Sequence, residues 1–105
     1  MTTQQSTERS LRYNAGKPDF SLIPLAALGE VCKVLEYGAT KYERGNWLKP
    51  TNGDVSMACL LRHLSAWQSG EMNDPESGRS HIAHAACNII QMLYMLEYHP
   101  EEVQK

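Results

Sequence analysis

Apolar residues recur at i, i+3, i+4 and i+7 in three separate stretches, and no stretch sustains a period-two alternation. The first stripe is Leu28, Val31, Cys32, Leu35, Ala39 and Tyr42. It predicts a helix from about Pro24 to Tyr42, since a proline is tolerated in the first turn. The second stripe is Met57, Leu60, Leu61, Leu64 and Trp67, opened by Asn52 or Asp54 as N-cap and closed near Gly70. The third is Ile82, Ala85, Ala86, Ile89, Leu93 and Leu96, from Arg79 or Ser80 to Tyr98, where Pro100 stops it. No internal repeat or low-complexity tract interrupts them. The pattern predicts an all-α fold: a small bundle of three main helices.

A chain of 105 residues is one domain's worth, and 42% hydrophobic with 21% charged residues is the balance of a globule. Residues 1–10 hold no aliphatic side chain beyond Met1 and are expected to be a disordered tail, leaving 11–105 as a single domain. Leu11–Phe20 contains Gly16 and Pro18, which predicts an irregular arm. The net charge of −2 argues against a protein that grips duplex nucleic acid through a basic stripe. No apolar run approaches the roughly 18–20 residues that span a bilayer, and the polar N-terminus lacks a signal pattern. A cytoplasmic protein without a membrane partner is the expectation. Cys32, Cys59 and Cys87 are odd in number and form no C-x-x-C, so core packing is expected rather than disulfides or structural zinc. Leu25, Val34, Ile90, Tyr94 and Met95 lie off the stripes. Helices that are apolar on more than one side point to a homo-oligomer.

Polar residues collect in two groups. On a helical wheel His81, His84, Asn88 and Gln91 fall within about an 80° arc beside the apolar face. His81 and His84, at i and i+3, can aim two imidazoles at one ion, and His63 can face them from the second helix. The loop before the third helix adds Glu71, Asp74 and Glu76, which suit hard divalent cations. Two uses stay open for this stripe: metal ligation, or hydrogen bonding in a polar core. Asp74 and Glu76 also fit a plain turn whose acids sit near a helix N-terminus. The second group is cationic and aromatic: Arg12, Tyr13 and Lys17 in the arm, Tyr37, Lys41 and Tyr42 on the first helix. Asn46 and Trp47 follow in a loop, and Arg62 and Trp67 lie on the second helix. Cations for phosphates with an aromatic plane for a base are a common way to hold a nucleotide. The alternative is a Trp that fills the core, which Trp67 suits better than Trp47. The Gly16-Lys17 pair lacks the spacing of a phosphate-binding P-loop, and no nucleophilic triad is recognisable.

The strings RYNAGKPDFSLIP (12–24), YGATKYERGNW (37–47), LLRHLSAWQSGE (60–71) and DPESGRSHIAHAACN (74–88) resemble, in this order, one known domain. It is the N-terminal domain of phage-type dATP/dGTP diphosphohydrolases, a family related to the MazG-like all-α pyrophosphohydrolases. The resemblance covers about residues 12–96. It implies an all-α oligomer that cleaves a deoxynucleoside triphosphate to monophosphate and pyrophosphate. MazG-like enzymes hold Mg²⁺ or Mn²⁺ on E-x-x-E and E-x-x-D motifs of facing helices. This chain departs from that pattern: its helices carry no E-x-x-E, and His81-x-x-His84 stands where E-x-x-D belongs. The one E-x-x-D, Glu71 to Asp74, falls in a loop.

Two functions of different class follow. In the first, Mg²⁺ or Mn²⁺ on His63, Glu71, Asp74, His81 and His84 activates water toward a nucleotide phosphate. Asp74, Glu76 and His84 are then the catalytic residues. Arg12, Lys17, Tyr37, Lys41, Asn46, Trp47, Arg62 and Asn88 bind the nucleotide. In the second, the chain is a non-catalytic oligomer of phage origin that sequesters a nucleotide, such as a signalling nucleotide of host defence. A helical scaffold, in which the polar stripe only fixes helix register, is the plainest alternative.

Overall fold

The computed structural model describes residues 8–104. Among them are three α-helices and no strand: α1 (Leu25–Lys41), α2 (Gly53–Gln68) and α3 (His81–Tyr98). Single 3₁₀ turns stand at Phe20–Leu22, Asn46–Leu48 and Pro100–Glu102. The expected tail at 1–10 falls mainly on residues 1–7, outside the described residues; 8–10 are exposed. No helix among the described residues is long and apolar enough to cross a membrane.

Local chemistry sets the helix ends. The Asn52 side chain accepts from the Asp54 N–H at 2.8 Å and opens α2, with Asp54 suiting the helix dipole in the first turn. The Ser80 hydroxyl accepts from the N–H groups of Ile82 and Ala83 and opens α3. The α1 N-cap is Pro24, whose side chain makes no capping hydrogen bond. Gly70, at φ 107°, turns the chain out of α2 in a conformation that other residues seldom adopt.

Helices α2 and α3 form an antiparallel hairpin and α1 packs on α3. Ser56, early in α2, reaches Gln91 of α3, whereas His63, later in α2, meets His81 at the start of α3. The seam between them is polar. Ser56 is 1% exposed and His81 3%, packed with Leu60, Ala85 and a fully buried Met95.

The predicted core holds only in part: Val31, Leu60 and Ala85 of the three stripes are buried. Ile82, Ile89, Leu93 and Leu96 of the third stripe are exposed, as are Met57, Leu61, Leu64 and Trp67 of the second. Off-stripe Val34 and Met95 are core residues instead. The physical reason is that His63 pairs with His81, and Ser56 donates to Gln91, across the seam, taking positions an aliphatic stripe would otherwise fill. Trp67, at 45% exposure, does not fill the core. Cys32 is exposed, against the expectation of core packing, while Cys59 and Cys87 are half-buried, and all three are free.

Candidate functional site

The loop between α2 and α3 is held by its own carboxylate. Asp74 Oδ1 accepts from the N–H groups of Glu76 (2.7 Å) and Ser77 (3.1 Å), so the chain wraps around the side chain of Asp74. Backbone bonds from Asp74 N–H to Arg79 and from Gly78 N–H to Asp74 close the turn, with Gly78 at φ 70°. Asp74 Oδ2 is left facing His63 Nδ1 at 3.9 Å.

Three imidazoles meet beside it. The Nδ1 atoms of His63 and His81 are 2.9 Å apart, and His63 stacks on His84 with ring centroids 4.4 Å apart. His81 Nε2 pairs with Glu71 Oε1 at 2.6 Å. When that nitrogen carries the proton donated to the carboxylate, Nδ1 keeps a lone pair directed at His63. His84 Nε2 lies 2.7 Å from the Ser77 hydroxyl, which also accepts from the Arg79 N–H. Burial and the neighbouring imidazoles hold His63 below the usual histidine range, and burial does the same to His84. Burial acts to raise the Asp74 carboxyl, but the two N–H donors and nearby imidazoles outweigh it, and its pKa falls. The cluster therefore combines two imidazoles held toward the neutral form, His63 and His84, with a carboxylate held toward the ionised form, Asp74. Ligand atoms of His63, Asp74 and His81 all lie within 4.8 Å of one another.

A groove of about 940 Å³ runs past this cluster. His63, Asp74, Glu76, Ser77 and His84 line one part, and Tyr37, Lys41, Arg44, Asn46, Trp47, Arg62, Asn88 and Gln91 are among the residues that line the rest, with apolar wall from Val34 and Leu35. Its volume lies within the usual range for small-molecule sites. Glu76 Oε1 accepts from both the Tyr37 hydroxyl (2.9 Å) and the Lys41 ammonium, which together lower its pKa. Trp47 is fixed from behind: Gln91 donates to its carbonyl at 2.8 Å and accepts from buried Ser56 at 3.1 Å.

The structure thus gathers His63, Asp74, Glu76 and His84 with Tyr37, Lys41, Asn46, Trp47, Arg62 and Asn88 around one groove. It does not bring Arg12 and Lys17 there; both lie on the exposed arm, which makes no part of the groove wall. Glu71 and His81 are also absent from the wall: His81 belongs to the convergent ligand set, whereas Glu71 lies outside it and is bonded to His81. His84 stacks on that set without belonging to it. Sequence reasoning did not assign Arg44, Ser77 or Gln91 to the site. Gln91 had a signal, its place on the polar arc of α3; Ser77 had only its position two residues after a turn proline.

Fold and site together define an all-α domain in which an imidazole–carboxylate cluster borders a groove edged with cations and aromatic rings. The chain belongs to the family described as dATP/dGTP diphosphohydrolase, N-terminal, whose model matches residues 7–105. A protein of Salmonella phage PMBT28 named dATP/dGTP diphosphohydrolase is 30% identical over 90 residues, covering 86% of this chain and 31% of that protein. The chain therefore spans about a third of the length of that relative. No solved structure matches it.

Proposed function

We propose that the groove binds a purine deoxynucleoside triphosphate and that the chain hydrolyses it to monophosphate and pyrophosphate with a divalent cation. The observation that carries this reading is the convergence of His63, Asp74 and His81 at the edge of a groove that also holds Lys41, Arg44 and Arg62. The name of the phage relative supplies the substrate class.

The residues fit a metal. Two imidazole nitrogens and one carboxylate oxygen converge, and Glu71 backs His81 as a carboxylate commonly backs a metal-bound histidine. Of Mg²⁺ and Mn²⁺, the mixed N,O donor set suits Mn²⁺ better, because Mg²⁺ favours oxygen ligands and retained water. A divalent ion held there supplies Lewis acidity toward a phosphoryl oxygen and acidifies water.

The chain's own groups do the remainder. Lys41, Arg44 and Arg62 offset phosphate charge, while Asn46 and Asn88 offer amides and Tyr37 and Trp47 aromatic surface to the base and sugar. Water attacks the α-phosphorus, the bond from that phosphorus to the bridging oxygen breaks, and pyrophosphate leaves. His84, kept neutral by burial, takes the proton from water, with Ser77 orienting its ring. Asp74 stays ionised, and Glu76 positions Lys41 and Tyr37. Arg12 and Lys17 contribute only when the arm folds over a groove. The chain acts as a homo-oligomer.

One observation favours a second reading, nucleotide sequestration without turnover. Glu76 is engaged by Lys41 and Tyr37 rather than free to accept a proton. Incubating the protein with each dNTP and NTP and with cyclic nucleotides, with Mn²⁺ or EDTA, separates the two. Monophosphate in many-fold excess over protein, formed only with metal, is the expected result. A ligand captured in fixed ratio and released unchanged on denaturation overturns catalysis and leaves sequestration.

A further inference from the structure

The two helices of the hairpin are each divided in the same way. In α2, Cys59, Arg62 and His63 of the groove wall fall to one side of buried Ser56 and Leu60, and Met57, Leu61 and Leu64 to the other. In α3, His84, Cys87 and Gln91 fall to one side of buried His81 and Ala85, and Ile89, Leu93 and Leu96 to the other. Because the helices are antiparallel, these offsets put both apolar stripes on one face of the hairpin and the groove on the opposite face.

We propose that this face pairs with the same face of a second copy of the chain, so that two hairpins stack and the two grooves open outward on opposite sides. The inference deepens the homo-oligomer reading and rests on it; it does not depend on what the groove binds.

Three observations single out a second copy. The six side chains leave on the order of 600 Å² of apolar surface exposed, at the upper limit for a single patch on a monomer. That is most of the roughly 800 Å² each partner covers in a standard interface. Leu61 at 55% and Leu93 at 60% exposure lie among them, whereas the interior of the chain holds few large aliphatic side chains. A domain so composed needs a permanent partner, and a like copy with two-fold symmetry is the commonest one. The residues that flank the stripes on the same side, Ser65 and Gln68 in α2 and Ala86 and Glu97 in α3, include no cation, which disfavours an anionic lipid surface.

Sedimentation equilibrium on the full chain tests this, with Leu61→Glu and Leu93→Glu as interface variants and Lys41→Ala as a groove control. The wild type and the control are expected to sediment at twice the chain mass or a multiple of it. The two glutamate variants are expected to sediment at one chain mass with the wild-type helical circular dichroism. Should either variant fail to fold, isotope-filtered NMR on a mixture of labelled and unlabelled wild-type chains gives the same answer: contacts between copies at the Leu61, Ile89 and Leu93 methyl groups. A monomeric wild type overturns both this face and the homo-oligomer reading. An oligomer without intermolecular contacts at these methyls, or one that survives both glutamates, overturns the face alone.

Discussion

His63 and His81 lie 18 positions apart on different helices, yet their Nδ1 atoms are 2.9 Å apart. Two facing nitrogens at that distance share one proton or one cation. The second nitrogen of His81 is already occupied by Glu71, so its lone pair is fixed toward His63. On this geometry His81→Ala is expected to abolish the proposed Mn²⁺ binding, and Glu71→Gln to weaken it by about 10- to 100-fold while the helices persist. Electron paramagnetic resonance titration of free Mn²⁺ reads both. Unchanged affinity in Glu71→Gln would mean that the carboxylate does not orient a ligand.

The pairing of Lys41 with Glu76 is exposed, so it contributes little to folding. Lys41→Ala is expected to leave thermal unfolding nearly unchanged and to weaken nucleotide binding by about tenfold or more, the size of a charge-assisted hydrogen bond. Calorimetric titration with a non-hydrolysable triphosphate checks this. Equal affinity in the variant would remove Lys41 from the phosphate site.

Gln91 joins buried Ser56 to the Trp47 carbonyl. Gln91→Leu takes away the acceptor for the one and the donor for the other, and is expected to cost about 1–3 kcal/mol. In a Trp67→Phe background the emission of Trp47 should also shift toward the red as its turn loosens. A variant as stable as the wild type with unshifted emission would show that the relay does not hold this wall.

Burial pushes the Cys87 thiol up to about 11, with a smaller contribution from nearby Cys32. Its protonated form is favoured in the folded state, so this group's contribution to stability is complete below its ordinary value of 9.0 and falls as pH rises through 11. Thiolate is the reactive species, so Cys87 should alkylate last near pH 8 and exposed Cys32 first. Peptide mass mapping over a time course of iodoacetamide labelling gives the order, and early labelling of Cys87 would contradict its burial.

Gly53 opens α2 with no room for a side chain. A Cβ there would lie 2.9 Å from Val103 Cγ1 and 3.2 Å from the Glu102 carbonyl oxygen. Gly53→Ala should therefore destabilise by about 1–3 kcal/mol, as overpacking does, and displace the turn at Pro100–Glu102. Hydrogen exchange at Val103, whose N–H bonds to the Pro100 carbonyl, reports that displacement. Unchanged exchange and unchanged stability would show that the terminal turn adjusts freely.

Helix type and extent were legible because periodicity, the caps Asn52 and Ser80, and the stop at Pro100 are local signals. The meeting of His63, Asp74 and His84 was legible in part, since spacing placed His81 and His84 on one arc and a hairpin brings α2 back to them. What periodicity cannot tell is which of two faces is inside. Leu93 and Met95 are both apolar, but Met95 is buried because it follows the register of His81, Asn88 and Gln91 across the seam. Arg12 and Lys17 show the other limit: residue type suggests a phosphate, but only the path of the arm decides whether they reach one.

The polar seam has a consequence for how the chain finds its alignment. An aliphatic stripe can slide along another by one turn, about 5.4 Å, and bury nearly the same area. The seam of α2 and α3 has no such freedom. Moved by one turn, His81 loses His63, Gln91 loses Ser56, and donors and acceptors that meet in the native register face neighbours that cannot answer them. A misaligned hairpin is thus rejected by its hydrogen bonds even where its shape would pass.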